Sequence, residues 1–167
     1  MERVMIIGCG GAGKSTLARK LGEKTGLPVI HLDRIFWSPG NWRHLSREEF
    51  DIRLLRELEQ DRWIMDGNYD RTLEPRLAKA DTVIYLDFSR WLCLMGWIKR
   101  VVTNWGTARP DMAPGCEEWF DPEFVRWIWR YIRDNRGRNY ALIAKYPNVK
   151  PVILKNRRQA RRFLDGI

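Results

Sequence analysis

At 167 residues the chain has room for one domain with a buried core, and 44% hydrophobic beside 31% charged residues excludes a disordered polymer. Thirty Lys and Arg against 21 Asp and Glu leave a net charge of +9, which suits polyanionic ligands: nucleotides, nucleic acid or both. The longest nearly uncharged apolar run, Trp91 to Ile98, is far too short to cross a bilayer. Glu2-Arg3 followed directly by a strand-length run argues against a signal peptide, and three scattered cysteines (Cys9, Cys93, Cys116) predict a reducing, cytoplasmic setting.

In chain order, Val4-Met5-Ile6-Ile7 reads as a buried strand. Gly8-Cys9-Gly10-Gly11-Ala12-Gly13-Lys14-Ser15-Thr16 follows, and then Leu17 to Leu21 with helical apolar spacing. Strand, G-x-x-x-x-G-K-S, helix is the P-loop in its proper context. The glycines turn the backbone tightly so that successive N–H groups point at phosphate oxygens, and the helix start adds partial positive charge. The sequence therefore predicts that Gly8, Gly10, Gly11, Ala12, Gly13, Lys14, Ser15 and Thr16 bind a nucleoside triphosphate, with Lys14 on the β- and γ-phosphates and the Ser15 hydroxyl on Mg2+.

Gly26 stops the first helix, and Pro28 breaks the chain beyond it. Val29 to Asp33 reads as a second strand ending in a carboxylate, before an aromatic loop (Ile35 to Trp42) with turn chemistry at Pro39-Gly40. Ser46 and Glu49 form a capping box ahead of a helix with Phe50, Leu54 and Leu58 on one face. Arg62 to Gly67 is a third strand, Leu73 and Leu77 mark a short helix, and Thr82 to Asp87 is a fourth strand. Trp91 to Val102 reads as an apolar helix buried on most of its circumference, and Thr103 to Gly115 as a mobile loop. Asp121 with Pro122 caps a long helix striped by Phe124, Trp127, Ile128 and Tyr131. Val149 to Leu154 is a fifth strand and Gln159 to Leu164 a closing helix. Five apolar strands alternating with helices indicate a parallel sheet covered on both faces, with ligands at the carboxyl ends of the strands.

Asp66 ends the third strand, where phosphoryl transfer needs an acidic group to orient Mg2+; a turn cap before Gly67-Asn68 is the plainer alternative. Asp33 is placed to hold an acceptor hydroxyl and take its proton, or else to cap its loop. Strand alternation puts His31 on the same face as Asp33, where it reads as a packed histidine rather than a catalytic one. Arg126, Arg130 and Arg133 share one sector of the long helix, with few acids among them, and Arg100 and Arg109 bracket the loop before it. Like charges so arranged repel unless an anion joins them, so they read as lid arginines closing over phosphate, with Arg126 and Arg130 the first choices for a catalytic role. Phe36, Trp37 and Trp42 either stack a planar ligand or close a core edge. The basic run Lys155 to Arg162 reads as a solvated helix start before it reads as a nucleic-acid contact.

The P-loop, the Asp after strand two, Asp66-Gly67 after strand three and the arginine-bearing segment before the last strand resemble the adenylate-kinase-like nucleotide kinases, whose ground plan shikimate and gluconate kinases share. His31 to Trp37, Trp63 to Tyr69, Arg109-Pro110-Asp111-Met112 and Val152 to Lys155 are most similar to the bacterial DNA topology modulation proteins. The resemblance runs nearly end to end. It implies a three-layer α/β/α P-loop fold with a five-stranded parallel sheet in the order 2-3-1-4-5. It also implies ATP with Mg2+, and a helical lid over about residues 96–140 of a single domain spanning 1–167. One departure bears on the acceptor: Asn68-Tyr69-Asp70 stands where adenylate kinases carry a phosphate-gripping arginine, and Arg71 comes one position later. The expectation is an ATP- and Mg2+-dependent kinase of a small acceptor, monomeric or homodimeric. The alternative is an ATP-responsive, nucleic-acid-associated regulator.

Overall fold

The computed structural model describes residues 1–39 and 42–167. Five strands, β1 (Arg3–Gly8), β2 (Val29–His31), β3 (Trp63–Asp66), β4 (Thr82–Leu86) and β5 (Lys150–Leu154), form one sheet in the order β2-β3-β1-β4-β5. Every neighbouring pair is parallel. This is the order the resemblance implied. Among the described residues, seven α-helices connect and cover the strands: α1 (Lys14–Thr25), α2 (Leu32–Phe36), α3 (Arg47–Leu58), α4 (Leu73–Lys79), α5 (Arg90–Thr103), α6 (Pro122–Ala144) and α7 (Arg157–Asp165).

Alternation along the central strand assigns the two faces. Val4 and Ile6 pack with Leu17 and Leu21 of α1, Cys93 and Trp97 of α5, Ile128 of α6 and Leu164 of α7. Met5 and Ile7 pack with Phe50, Leu54 and Leu58 of α3, Leu73 and Leu77 of α4, and Ile143 near the end of α6. The capping box holds as read: Ser46 Oγ accepts from Glu49 N, and Ser46 N donates to the Glu49 carboxylate. Asp121 accepts from the N–H groups of Glu123 and Phe124 at the start of α6.

Three elements differ from expectation. β2 ends at His31, and the chain turns at once into α2, so Asp33 lies in the first turn of a short helix and the strand alternation linking it to His31 does not apply. α5 is not buried around most of its circumference. Cys93, Trp97 and Val101 face the core, while Trp91, Met95, Ile98 and Val102 are exposed along the opposite side. The segment after α5 is irregular but packed: it bridges to itself at Trp105–Glu118 and Ala108–Glu117 and buries Met112, Ala113 and Cys116. The turn expected at Pro39-Gly40 runs into Gly40, which lies outside the described residues. Among the described residues no helix is long and apolar enough to cross a membrane.

Helix α5 leans directly on the phosphate loop. Gly11 and Gly96 meet so closely that a Cβ on Gly96 would stand 2.1 Å from the Gly11 carbonyl oxygen. Only two glycines permit that approach. Gly96→Ala is therefore expected to push α5 off the loop, costing about 1–3 kcal/mol of stability and weakening ATP binding. Urea unfolding and a nucleotide titration measure the two effects. Unchanged values in both would show that the helix yields without disturbing the loop.

Candidate active site

The carboxyl ends of β1, β2 and β3 open into a cavity of about 760 Å3. Gly10, Gly11 and Gly13 to Thr16 line one end of it, and Asp33, Phe36, Trp37, Trp42 and Tyr69 the other. Gly13 precedes α1 with φ +95°, a conformation that favours glycine, and no described side chain caps the helix there. The first N–H groups of α1 are thus presented, with its positive dipole end, to whatever enters. Lys14 Nζ rests on the carbonyls of Gly8 (2.9 Å) and Cys9 (3.1 Å), folded over its own loop.

Ser15 Oγ donates to Asp66 Oδ2 at 2.7 Å, so the hydroxyl and carboxylate singled out for a metal lie side by side. The other Asp66 oxygen meets His31 Nδ1 at 2.5 Å. Burial disfavours charge on His31, but the Asp66 carboxylate outweighs it and raises the imidazole pKa. His31 is a partner of Asp66 rather than a core filler.

Asp33 accepts a hydrogen bond from Tyr69 Oη at 2.7 Å. Burial pushes its carboxyl up, with the nearby Asp66 carboxylate adding to the rise and the Tyr69 bond opposing it. Tyr69 itself holds φ +40°, a strained backbone for a tyrosine. The loop carrying it is fastened from beneath by Arg76, a fully buried residue of α4. Its guanidinium donates to the carbonyls of Thr72 (3.1 Å), Gly67 (2.8 Å) and Asn68, and burial pulls its pKa down. Asn68 Oδ1 in turn accepts from Gly8 N at 3.0 Å, tying the β3 loop to the P-loop. Neither residue stands out in the sequence, because a buried cation serving backbone carbonyls carries no motif. Arg76→Met is expected to cost about 2–4 kcal/mol and to raise KM for the acceptor more than for ATP. Unfolding and steady-state kinetics report the two effects.

The segment between α5 and α6, with the end of α5, supplies the roof. Glu118, almost wholly buried, lies 3.2 Å from Arg100 Nε and 2.5 Å from Arg109 Nε, and Arg109 also pairs with Asp111. Burial drives the Asp111 carboxyl up, but Arg109 and the Ser15 hydroxyl outweigh it and hold it below the usual range. Met112, Ala113 and Cys116 pack on Trp37 and Trp42, and Trp42 Nε1 donates to the Glu117 carbonyl. The two indoles therefore line the cavity and seat the segment between α5 and α6 at once.

The structure brings together Gly10, Gly11, Gly13, Lys14, Ser15, Thr16, Asp33, Arg100 and Arg109 around one cavity, with Asp66 joined through Ser15. Gly8 and Ala12 are buried in the loop behind them. Arg126 and Arg130 are not brought there. Phe124 and Trp127 occupy the cavity-facing side of α6. The two arginines lie further round the cylinder, exposed beside a separate depression with Tyr131 and Asp134. The spacing of three and four that groups charges on a helix does not say which way the helix is rotated.

Known proteins carry the same plan. No family model matches the chain. The shikimate kinase of Rhodococcus jostii (strain RHA1) is 32% identical over 128 residues, covering 68% of this chain and 71% of that protein. Among solved structures, the shikimate kinase of Acinetobacter baumannii in complex with shikimate superposes with a TM-score of 0.56 at 18% identity, over 99% of this chain and 90% of that one. A gluconokinase from Sinorhizobium meliloti 1021 gives 0.57 at 16% identity, over 99% and 92%. With its P-loop, its acidic groups at strand ends and this relationship, the chain belongs to the shikimate kinase-like P-loop kinases and is a small-molecule kinase.

Proposed function

We propose that the chain transfers the γ-phosphoryl group of Mg·ATP to a hydroxyl of a small acceptor seated against Asp33. The observation that carries this reading is the cavity lined by the phosphate loop at one end and by a partly buried, tyrosine-bonded carboxylate at the other. Gly10 to Thr16 would hold the triphosphate through backbone N–H groups, with Lys14 swinging from the Gly8 and Cys9 carbonyls onto the phosphates. A hydroxyl and a carboxylate 2.7 Å apart are hard oxygen donors suited to Mg2+, which keeps most of its waters and needs one or two carboxylates beside the phosphates. Ser15 and Asp66 would hold the ion. When bound, it neutralises charge on the β- and γ-oxygens.

The acceptor oxygen bonds to the γ-phosphorus as the bond from phosphorus to the β–γ bridging oxygen breaks, and ADP leaves with that electron pair. Asp33 takes the acceptor's hydroxyl proton, with Tyr69 holding the carboxylate in place. Arg100 and Arg109 would transfer part of their attraction from Glu118 to the phosphates as the lid closes. Arg126 and Arg130, outside the cavity, have no part in the step.

The test is Mg2+-dependent ADP release by the pure protein over a panel of hydroxylated acceptors, with the product identified by mass. Release that is indifferent to every acceptor, or a product without added phosphate, would overturn the reading.

A second reading, in the manner of the DNA topology modulation proteins that the chain resembles, is favoured by one feature. α7 exposes Arg157, Arg158, Arg161 and Arg162. It expects DNA binding that weakens steeply with salt and also changes with ATP; salt dependence alone would reduce it to bulk charge.

A further inference from the structure

The acceptor end of the cavity is selective in charge as well as shape. Four cations line the whole cavity: Lys14, Arg19, Arg100 and Arg109. Lys14 and Arg19 belong to the phosphate loop and the helix behind it. Arg100 and Arg109 share Glu118, and Arg109 is further matched by Asp111. Asp33, bonded to Tyr69 rather than to a cation, adds negative charge beyond those pairs. Among the described residues that line the cavity, no cation at that end lacks a carboxylate partner. A carboxylate or phosphate on the acceptor would lose its water there and would have to draw a guanidinium away from the carboxylates and the triphosphate that already engage it.

The walls point to a flat, uncharged partner. Phe36 and Trp37 meet edge to face at 5.0 Å and 87°, Trp37 and Trp42 at 5.2 Å and 80°, and Phe36 leans on Tyr69 at 5.0 Å. Trp42 is anchored through its indole N–H, and Met112 closes the side. Rigid aromatic faces accept planar rings at little entropic cost, while the Asp33 carboxylate beside them is left to receive a hydroxyl.

Resting on the phosphotransferase reading, we infer that the acceptor is an uncharged, hydroxyl-bearing molecule with a planar ring, of the nucleoside class, and not a hydroxy acid or a nucleoside monophosphate. The transfer is the one balanced above: the nucleoside hydroxyl gains the phosphoryl group, its proton goes to Asp33, and ADP departs.

Binding and turnover separate the inference from the reading beneath it. With the nucleotide site saturated by Mg2+ and a non-hydrolysable ATP analogue, common ribo- and deoxyribonucleosides, shikimate, gluconate and a nucleoside monophosphate are titrated by calorimetry. At least one nucleoside is expected to bind tenfold or more tightly than every anionic compound, and Trp37→Leu to weaken it at least tenfold. Met112→Arg, which adds a guanidinium to the wall, is expected to narrow or invert the preference and remains informative if Trp37→Leu fails to fold. Tighter binding of any anionic compound, or no nucleoside binding, would overturn the inference. Phosphorylation of shikimate or gluconate in preference to nucleosides would keep the kinase and sink the acceptor class. Nucleoside binding without a phosphorylated product would do the reverse.

Discussion

Lys14→Ala is expected to lower kcat/KM at least about 10^3-fold, because the lysine is the loop's only mobile charge and one preorganised donor on a transferring group is worth about 10^2–10^3 in rate, before any loss of ATP affinity. The fold should survive. Lys14 contacts carbonyls of its own loop, Gly8 and Cys9, and carries no packing between elements. Circular dichroism and a melting curve establish that the variant is folded; a coupled ADP assay then reads the rate. A folded variant with more than a tenth of the parent rate would remove Lys14 from the chemistry, and with it the main functional meaning of the P-loop in this chain.

Asp33→Asn is expected to separate activity from stability. Without the carboxylate no group at that position takes the hydroxyl proton, and kcat should fall about 10^2–10^4-fold while the affinity for ATP changes little. Stability should move the other way. Burial raises the Asp33 pKa above its unfolded value, so the ionised form is disfavoured in the folded chain. Below the unfolded pKa both states are protonated and the site costs nothing. As pH rises through the window between the unfolded and folded values the penalty grows, and above it the penalty is constant. Asparagine removes the charge while its amide oxygen still accepts from Tyr69. The variant should therefore melt higher than the parent at neutral pH, by about 2–4 °C for each kcal/mol recovered in a chain of this size, and the gap should close toward acid pH. Equal melting points at pH 7 would mean that Asp33 is stabilised as an anion, against the direction in which desolvation moves it.

The pairing of a weakened fold with a working carboxylate is a familiar trade in active sites. Here it has a local support. Arg76 clamps the Gly67–Asn68 backbone, Asn68 binds the P-loop at Gly8, and Tyr69 reaches Asp33. The strained Tyr69 backbone sits in the middle of that chain of contacts. Loosening any link is expected to show first in acceptor binding.

Features that depend on neighbours in sequence were legible in it. Gly8 to Thr16 form a contiguous motif whose glycines, lysine and hydroxyl act within one turn of chain. The parallel sheet follows from apolar strands separated by helical periods, and the caps at Ser46 and Asp121 act over two or three residues. The strand order 2-3-1-4-5, by contrast, came from the family resemblance, because strand patterns alone do not say which strands are adjacent.

Tertiary packing decided the rest. Rotation of α6 chose Phe124 and Trp127 for the cavity and left Arg126 and Arg130 outside, since the apolar stripe must meet the core first. Rotation of α5 exposed a row of apolar side chains that composition assigned to the interior. Glu118 became the counter-charge for Arg100 and Arg109 only because the segment after α5 folds back on itself. Tyr69 and Asp33, 36 positions apart, are joined by a hydrogen bond from the tyrosine hydroxyl only because β2 and β3 lie side by side. The sequence by itself determined that this protein carries a P-loop, a phosphate-binding motif written in nine consecutive residues. What it offers the phosphate to, and which charges surround that acceptor, is set by contacts between distant segments, whose partners are selected by burial and shape rather than by spacing along the chain.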